Sequence, residues 1–411
     1  MKSLICLLIL FFLCVPISNM KAQGYWYRQT SGTEQALYGI SFSDSNTGTA
    51  VGTFDTILRT TDGGKTWVSQ NSGTVNTHFF DVTFMDFQTG IVVGIGGTIL
   101  KTTNGGETWT SQISGILPAL FSVSFADANN GTAVGHTGII LRSTDGGTTW
   151  EQKPDAPTTL RAVHFADVNN GFAVGDNGLV MRTTDSGANW FQQPNGIQIN
   201  LQGVYFTDGN TGTIVGGNNL TGARIYRTTD AGITWMQQYS INGVALSDVY
   251  FIDEQSGTAV GWDGIILSTS DAGANWINQN SNTINSLTSV FLVNSEIGFA
   301  TGGVGTILAK VDSAVTILSE ETFPDKLMLE QNYPNPFNPS TSIQFALPKN
   351  SYVSLSIFNS LGERIETLVS KSLGAGTYNY TWLAAGLPSG VYFYTLKAGD
   401  ISYTRKMILL R

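Results

Sequence analysis

A motif of the form Ser/Thr-x-Asp-x-Gly-x-x-Trp occurs six times in this chain. Its tryptophans, Trp67, Trp109, Trp150, Trp190, Trp235 and Trp276, follow one another at intervals of 42, 41, 40, 45 and 41 residues. The polar third position is Asp62, Asn104, Asp145, Asp185, Asp230 and Asp271 in turn. A fixed period of this length is that of a four-stranded β-propeller blade, and such a period decides the fold before any local propensity does.

Each unit reads alike. In the third, an inner strand at 120–125 ends in Phe-x-Asp, a turn closing on Gly131 leads to a strand at 132–135, and a second turn leads to one at 139–142. The Asp-Gly-Gly turn then leads to the strand after Trp150. Short β-rich runs separated by Gly, Asn and Asp are hairpin signals, and four in series make a meander. Inner strands occur seven times, from 37–42 to 287–292, but the last unit stops at Lys310 with neither motif nor outer strand. Residues 26–32 have the pattern of 109–115, an outer strand running into the next blade. The sequence therefore predicts an all-β chain in which 23–311 form a seven-bladed propeller closed by its own N-terminal strand, leaving no open sheet edge.

The motif has a local physical role. Its carboxylate and hydroxyl can satisfy backbone N–H groups of a tight turn, and its indole can cover the blade edge. Six copies argue for architecture, because one active site does not need six. Through Gly-x-Ile-Leu-Arg-Ser/Thr-Thr-Asp-Gly-Gly-x-Thr-Trp at 138–150, the chain resembles the Asp-box (BNR-type) propellers, most of all the photosystem II stability/assembly factor-like family. That resemblance implies a protein-binding scaffold. A photosynthetic role does not follow for an exported chain. Asp boxes also occur in sialidases, which need an arginine triad, a Tyr–Glu pair and an acid/base Asp. Of the arginines in 23–311 only Arg28, Arg161 and Arg224 lie outside the repeated position, and the Arg-Ile-Pro start of the sialidase pattern is absent.

After Lys310 the period stops. Residues 312–328 read as a linker containing Pro324, and 329–411 as a second domain. Gln-Asn-Tyr-Pro-Asn-Pro-Phe-Asn-Pro-Ser-Thr at 331–341, the strand at 353–358, the Gly-Thr-Tyr and Ser-Gly-Val-Tyr runs at 376 and 389, and the closing Lys-Met-Ile-Leu-Leu-Arg at 406–411 resemble the type IX secretion C-terminal sorting domain. Alternating strands and Gly-rich turns predict an immunoglobulin-like sandwich of about seven strands. The resemblance implies passage through the type IX machinery of a Bacteroidetes-type bacterium. A surface sortase would then remove 329–411 and leave the propeller released or attached to the surface.

The N-terminal residues agree with export. Lys2, the apolar run 4–17 and Ala22 before Gln23 read as a signal peptide over 1–22. It contains both cysteines, Cys6 and Cys14, so the mature protein has no thiol. Its removal takes Lys2 and Lys21 and shifts the net charge from −9 to −11. An acidic body without a basic tract excludes nucleic acid as the expected partner, and no later stretch reads as a transmembrane segment. No cofactor or metal is expected, since His78, His136 and His164 stand isolated in different blades.

Two sets of residues remain as candidate sites. The second turns vary where the rest repeats: Phe54 and Asp55, His136 and Thr137, Asp176 and Asn177, 218–221, and Trp262 and Asp263. Loops that escape the repeat constraint on a rigid scaffold are where binding is expected. The other set is a repeated basic position before the Asp box: Arg59, Lys101, Arg142, Arg182, Arg227 and Lys310. These side chains are expected either to grip an acidic peptide tail or to pair with the repeated Asp44, Asp86, Asp127, Asp167, Asp208 and Asp253. The reading is a secreted or surface, non-catalytic scaffold for an unknown protein or polysaccharide, with a carbohydrate-binding propeller and a sialidase-like glycosidase as alternatives.

Overall fold

The computed structural model describes residues 25–311, 326–332, 334–348, 351–373, 376–399 and 401–410. The signal peptide and most of the linker lie outside the described residues. The rest falls into two compact units, each taken by itself.

The first unit is seven four-stranded antiparallel sheets. Blade 1 runs outward through Leu37–Phe42, Gly48–Gly52, Ile57–Thr60 and Val68–Ser69. Blades 2 to 6 repeat this order from inner strands Phe79–Phe84, Leu120–Phe125, Leu160–Phe165, Leu201–Phe206 and Leu246–Phe251. Blade 7 comprises Leu287–Leu292, Gly298–Gly302 and Thr306–Val311, with Tyr25–Gln29 as its outer strand, in register from Tyr25 opposite Val311 to Gln29 opposite Ile307.

The second strand of every blade begins and ends in glycine and is buried at all five positions. Close approach explains both glycines. A Cβ on Gly131 would lie 2.5 Å from the Phe125 ring, and one on Gly135 would strike the Ala119 carbonyl oxygen. Between these strands the blades meet in apolar layers, such as Val51, Ile57, Phe79, Val82, Val92 and Leu100 between blades 1 and 2. Each Asp-box tryptophan stands edge-on to the phenylalanine that ends its inner strand, with centroids 6.0 Å apart for Phe42 and Trp67. Blade 7 lacks the box, and Trp26, fully buried beside Leu292 and Leu308, fills that layer instead.

Inner strands have one edge unpaired within their own sheet. Side chains of the preceding blade accept their N–H groups: Asp81 that of Val123 (2.9 Å), Ser122 that of Val163 (3.2 Å), Ser124 that of Phe165 (3.2 Å), His164 Nδ1 that of Phe206 (3.3 Å) and Asp248 that of Val290 (2.9 Å). His164 is thus a structural acceptor. Buried N–H groups without partners would each cost about 1–3 kcal/mol, so these bonds fix blade against blade.

The second unit is a sandwich of a three-stranded sheet (Met328–Leu329, Ser340–Leu347, Gly376–Leu383) on a four-stranded one (Ser351–Phe358, Arg364–Leu373, Gly390–Ala398, Ile401–Leu409). Its opening and closing motifs are bonded together. Tyr394 Oη donates to the Glu330 carbonyl (2.7 Å) and accepts from Asn332 N (2.8 Å), Phe337 N donates to the Ile408 carbonyl, and Ile408 N donates to Asn335 Oδ1. Asn332, 2% exposed, spends its amide on the Pro334 carbonyl and the Thr341 hydroxyl.

Deleting residues 24–32 exposes the Thr306–Val311 edge, so denaturant unfolding of the mature chain should become less cooperative with a lower midpoint. Trp26→Ala should cost about 3–5 kcal/mol in the same measurement.

Candidate functional site

The first and third turns of a blade share one face of the propeller, because the Asp-box turn is bonded onto the first turn: Gly63 N donates to the Asn46 carbonyl and Gly146 N to that of Asn129. Within a box the carboxylate organises its own loop. Asp62 accepts from the Thr60 hydroxyl (2.8 Å), Thr66 N (2.9 Å) and the Thr66 hydroxyl (2.6 Å), which hold its pKa down at about 2. Asn104 makes the corresponding bonds with a neutral amide, through the Thr102 hydroxyl (2.9 Å) and Thr108 N (3.0 Å). An acceptor oxygen is what the position needs. Among the described residues no three His, Cys, Asp or Glu side chains gather as a metal site.

The rim aspartates do not pair with the basic set, which corrects one of the two expectations. Among the described residues the ion pairs within 4 Å are Lys153–Glu151 and Arg161–Asp176. Asp44, Asp86, Asp127, Asp167, Asp208 and Asp253 each accept the backbone N–H groups two and three residues on, as Asp127 does from Asn129 (2.7 Å) and Asn130 (2.8 Å). Turn closure has claimed these carboxylates.

The basic side chains reach for the next blade's Asp box. Arg59 Nε donates to the Gly105 carbonyl (2.6 Å), Arg142 Nε to that of Ser186 (2.9 Å), and Lys101 Nζ to the Thr148 hydroxyl (2.8 Å). In the blades of Arg182 and Arg227 a glutamine makes this link instead. Gln193 and Gln238 occupy the carbonyls of Ala231 (3.2 Å) and Ala272 (3.0 Å). Arg182 lies over Phe172, while Arg227 turns inward onto Phe251, the Thr213 hydroxyl and the Glu254 carbonyl. In blade 7 Gln29 plays the glutamine part, accepting from Trp67 Nε1 (3.1 Å), and Lys310 Nζ donates to the Ser295 carbonyl. Gln also stands three residues after the tryptophan at Gln70 and Gln112, yet there it bonds the carbonyls of Val68 and Thr110 in its own strand while Arg59 and Lys101 make the cross-blade link, so the residue pattern alone carries no signal of which side chain does so.

Inner strands enclose a channel of about 530 Å³. Asp81 and Asp248 reach it, each held by its own following N–H and by the hydroxyl and N–H of the next blade. Enclosure raises their pKa values to about 7 and about 6, against the opposing pull of those donors. Burial lowers that of His164 to about 4.

The opposite face carries the second turns. Asp55, at φ 60°, binds the loop to blade 2 through the Thr74 hydroxyl and the N–H groups of Asn76 (2.6 Å) and Thr77 (3.1 Å). Asp176 holds Arg161 in a two-pronged pair (2.9 and 3.1 Å), and Asn177 N donates to Asn200. Phe54, 57% exposed, packs on His78 at 5.0 Å. His136 meets Phe121 edge-on, and Trp262 and Asp263 line a separate cleft in blade 6. At the channel mouth the turns frame an arc the sequence reading missed: Tyr38 to Phe80 at 5.5 Å, Phe80 to Phe121 at 5.2 Å, and Arg161 over Phe121 at 5.2 Å. These are second residues of inner strands, partly exposed in blades 1 to 4 and replaced by Gln202, Ser247 and Thr288 in blades 5 to 7. Arg28, Arg161 and Arg224 lie on blades 7, 4 and 5; the first and last donate to backbone carbonyls.

The family described as photosynthesis system II assembly factor YCF48 matches residues 18–119, 72–154 and 112–240, together over half of the chain, and the secretion system C-terminal sorting domain matches 331–410. Curated proteins give no match. Among solved structures, YCF48 from Cyanidioschyzon merolae is similar at 21% identity and a TM-score of 0.59, over 69% of this chain and 98% of that one. A YCF48 bound to D1 peptide gives 20% and 0.59, over 70% and 96%. PorZ, a surface component of the type IX secretion system of Porphyromonas gingivalis, gives 13% and 0.53, over 92% of this chain and 60% of that one. At these identities the structures speak for the fold. Among the described residues no helix is long and apolar enough to cross a membrane.

Arg142→Ala should lower stability by about 1–2 kcal/mol through its lost cross-blade bond, and Arg182→Ala by less, since Gln193 already makes the link; chemical denaturation distinguishes them. The channel aspartates set a pH dependence. Their folded pKa values exceed the unfolded ones, so the folded chain holds protons that the unfolded chain releases. That stability is full below about pH 4 and disappears as pH rises through about 6–7. His164 acts oppositely, losing stability on acidification from about pH 6.5 towards 4. The two aspartates outweigh the one histidine, so the thermal midpoint should fall from about pH 5 to about pH 7 and level off above that, and Asp81→Asn should flatten the slope.

Proposed function

This chain belongs to the family of the photosynthesis system II assembly factor YCF48, and from that premise we propose that its propeller is a non-catalytic scaffold which binds a protein partner outside the cell. Its type IX sorting domain indicates export to the cell surface or extracellular space of a Bacteroidetes-type bacterium, in association with the secretion machinery. Removal of 329–411 by a surface sortase belongs to the same proposal.

The observation that carries the reading is the aromatic arc Tyr38, Phe80 and Phe121, flanked by Phe54 on His78 and by Arg161. Contiguous, partly exposed rings on a rigid frame are the kind of surface that supplies binding hot spots, and aromatic residues with arginine dominate such surfaces. The relative bound to D1 peptide supports peptide recognition as the class of activity. Nothing in the arc offers a nucleophile beside a base. The rival surface, the basic rim, is weaker, because Arg59, Lys101 and Arg142 are committed to the next blade and Arg227 is buried.

Affinity capture with the mature full-length chain, against envelope and medium extracts of the source bacterium, tests this. A saturable protein prey should be retained by wild type and reduced about tenfold or more by Phe80→Ala with Phe121→Ala, at an unchanged thermal midpoint. Prey kept by that variant and lost on Lys101→Ala would move the site to the basic rim.

A further inference from the structure

Blade 6 departs from its neighbours at the second turn. In the corresponding turns of blades 1 and 4 the acidic side chains are used internally, Asp55 on the loop to blade 2 and Asp176 on Arg161. At Trp262–Gly264 they are not. Trp262 is 39% exposed, and among the described residues the side chains of Asp263, Asn278 and Gln279 make no hydrogen bond to protein. All four line one cleft of about 520 Å³, together with Asn280 and Ile241. Asp263 stands at φ 56°, the left-handed turn geometry shared by Gly96, Thr137 and Asn177 in the corresponding turns, so the fold sets its backbone and leaves its carboxylate uncommitted.

We infer that this cleft is a saccharide-binding site for a neutral sugar chain, distinct from the aromatic arc of blades 1 to 3 and independent of the protein-binding reading. An exposed indole offers a flat apolar face to the C–H side of a pyranose ring, and its N–H remains available at the rim. Asn278 and Gln279 each provide a donor and an acceptor on one planar group, which suits adjacent hydroxyls, and Asp263 accepts from a further one. The volume lies within the range of about 300–1,000 Å³ that small-molecule sites occupy. Asp263, with no cation within ion-pair distance among the described residues, disfavours uronic and sialic acids and selects uncharged sugars.

Saturation-transfer NMR on the mature full-length chain, with maltohexaose, cellohexaose and chitohexaose as neutral probes and hexagalacturonate as the charged one, tests the assignment. Saturable transfer to at least one neutral probe and none to hexagalacturonate is expected. Trp262→Ala and Asn278→Ala should each weaken that binding about tenfold, or about 1.4 kcal/mol, while Phe80→Ala leaves it unchanged. Asn278 is exposed, so its variant keeps the test valid should Trp262→Ala lower the thermal midpoint. No transfer to any neutral probe, equal transfer to hexagalacturonate, or binding kept by both cleft variants would overturn the inference. Loss with Phe80→Ala alone would also overturn it by moving the sugar to the arc.

Discussion

Every blade here is incomplete at its inner edge. Four antiparallel strands satisfy one another except for N–H groups that face the channel, where no further strand can be added. The protein meets those groups with side chains from the blade before: aspartates at two junctions and serines or a histidine at others. Farther out, a second set of links joins the same neighbours, made by arginine or lysine in some blades and glutamine in others. The ring is therefore held by polar bonds at both radii, with apolar layers between them. Blades 7 and 1 are joined by variants of these links: Thr288 Oγ1 donates to the Leu37 carbonyl (2.6 Å), Gln29 Oε1 accepts from Trp67 Nε1 (3.1 Å), and Phe299 stacks on Phe42.

This division of labour leaves one face free. Asp boxes, rim aspartates and basic side chains all turn their hydrogen-bonding capacity inward, onto turns and carbonyls of the same face. The face of the second turns has no repeated duty of that kind. Asp55 and Asp176 still serve their own loops there, but Tyr38, Phe80, Phe121, Phe54 and Trp262 are surplus to the architecture. Variation among the repeats is concentrated where the structure asks least.

The seven-bladed propeller and the sandwich are legible in the sequence because their signals are local. A box closes on itself within eight residues, and the glycines of each second strand answer to contacts that recur in every copy. The partners of the basic position are not legible, since whether Arg182 reaches its carbonyl depends on Gln193 arriving from another strand. Nor is the channel pair: Asp81 and Asp248 occupy a position filled elsewhere by Gly, Ser or Ala, and only the ring places their carboxylates beside the next blade's N–H groups. The aromatic arc escapes for the same reason, its rings lying about 41 residues apart in the chain and 5 to 6 Å apart in space.

The strand Thr306–Val311, from which the chain continues toward its sorting domain, is an interior strand of blade 7, bonded to Gly298–Gly302 on one side and to Tyr25–Gln29 on the other. Any pull transmitted along the chain during translocation, or by a tether at the cell surface, enters the propeller through a strand clamped along both edges. An outer strand would peel from its sheet one bond at a time. Here both ladders must yield before the ring opens, so the chain leaves the propeller from a strand held along both edges.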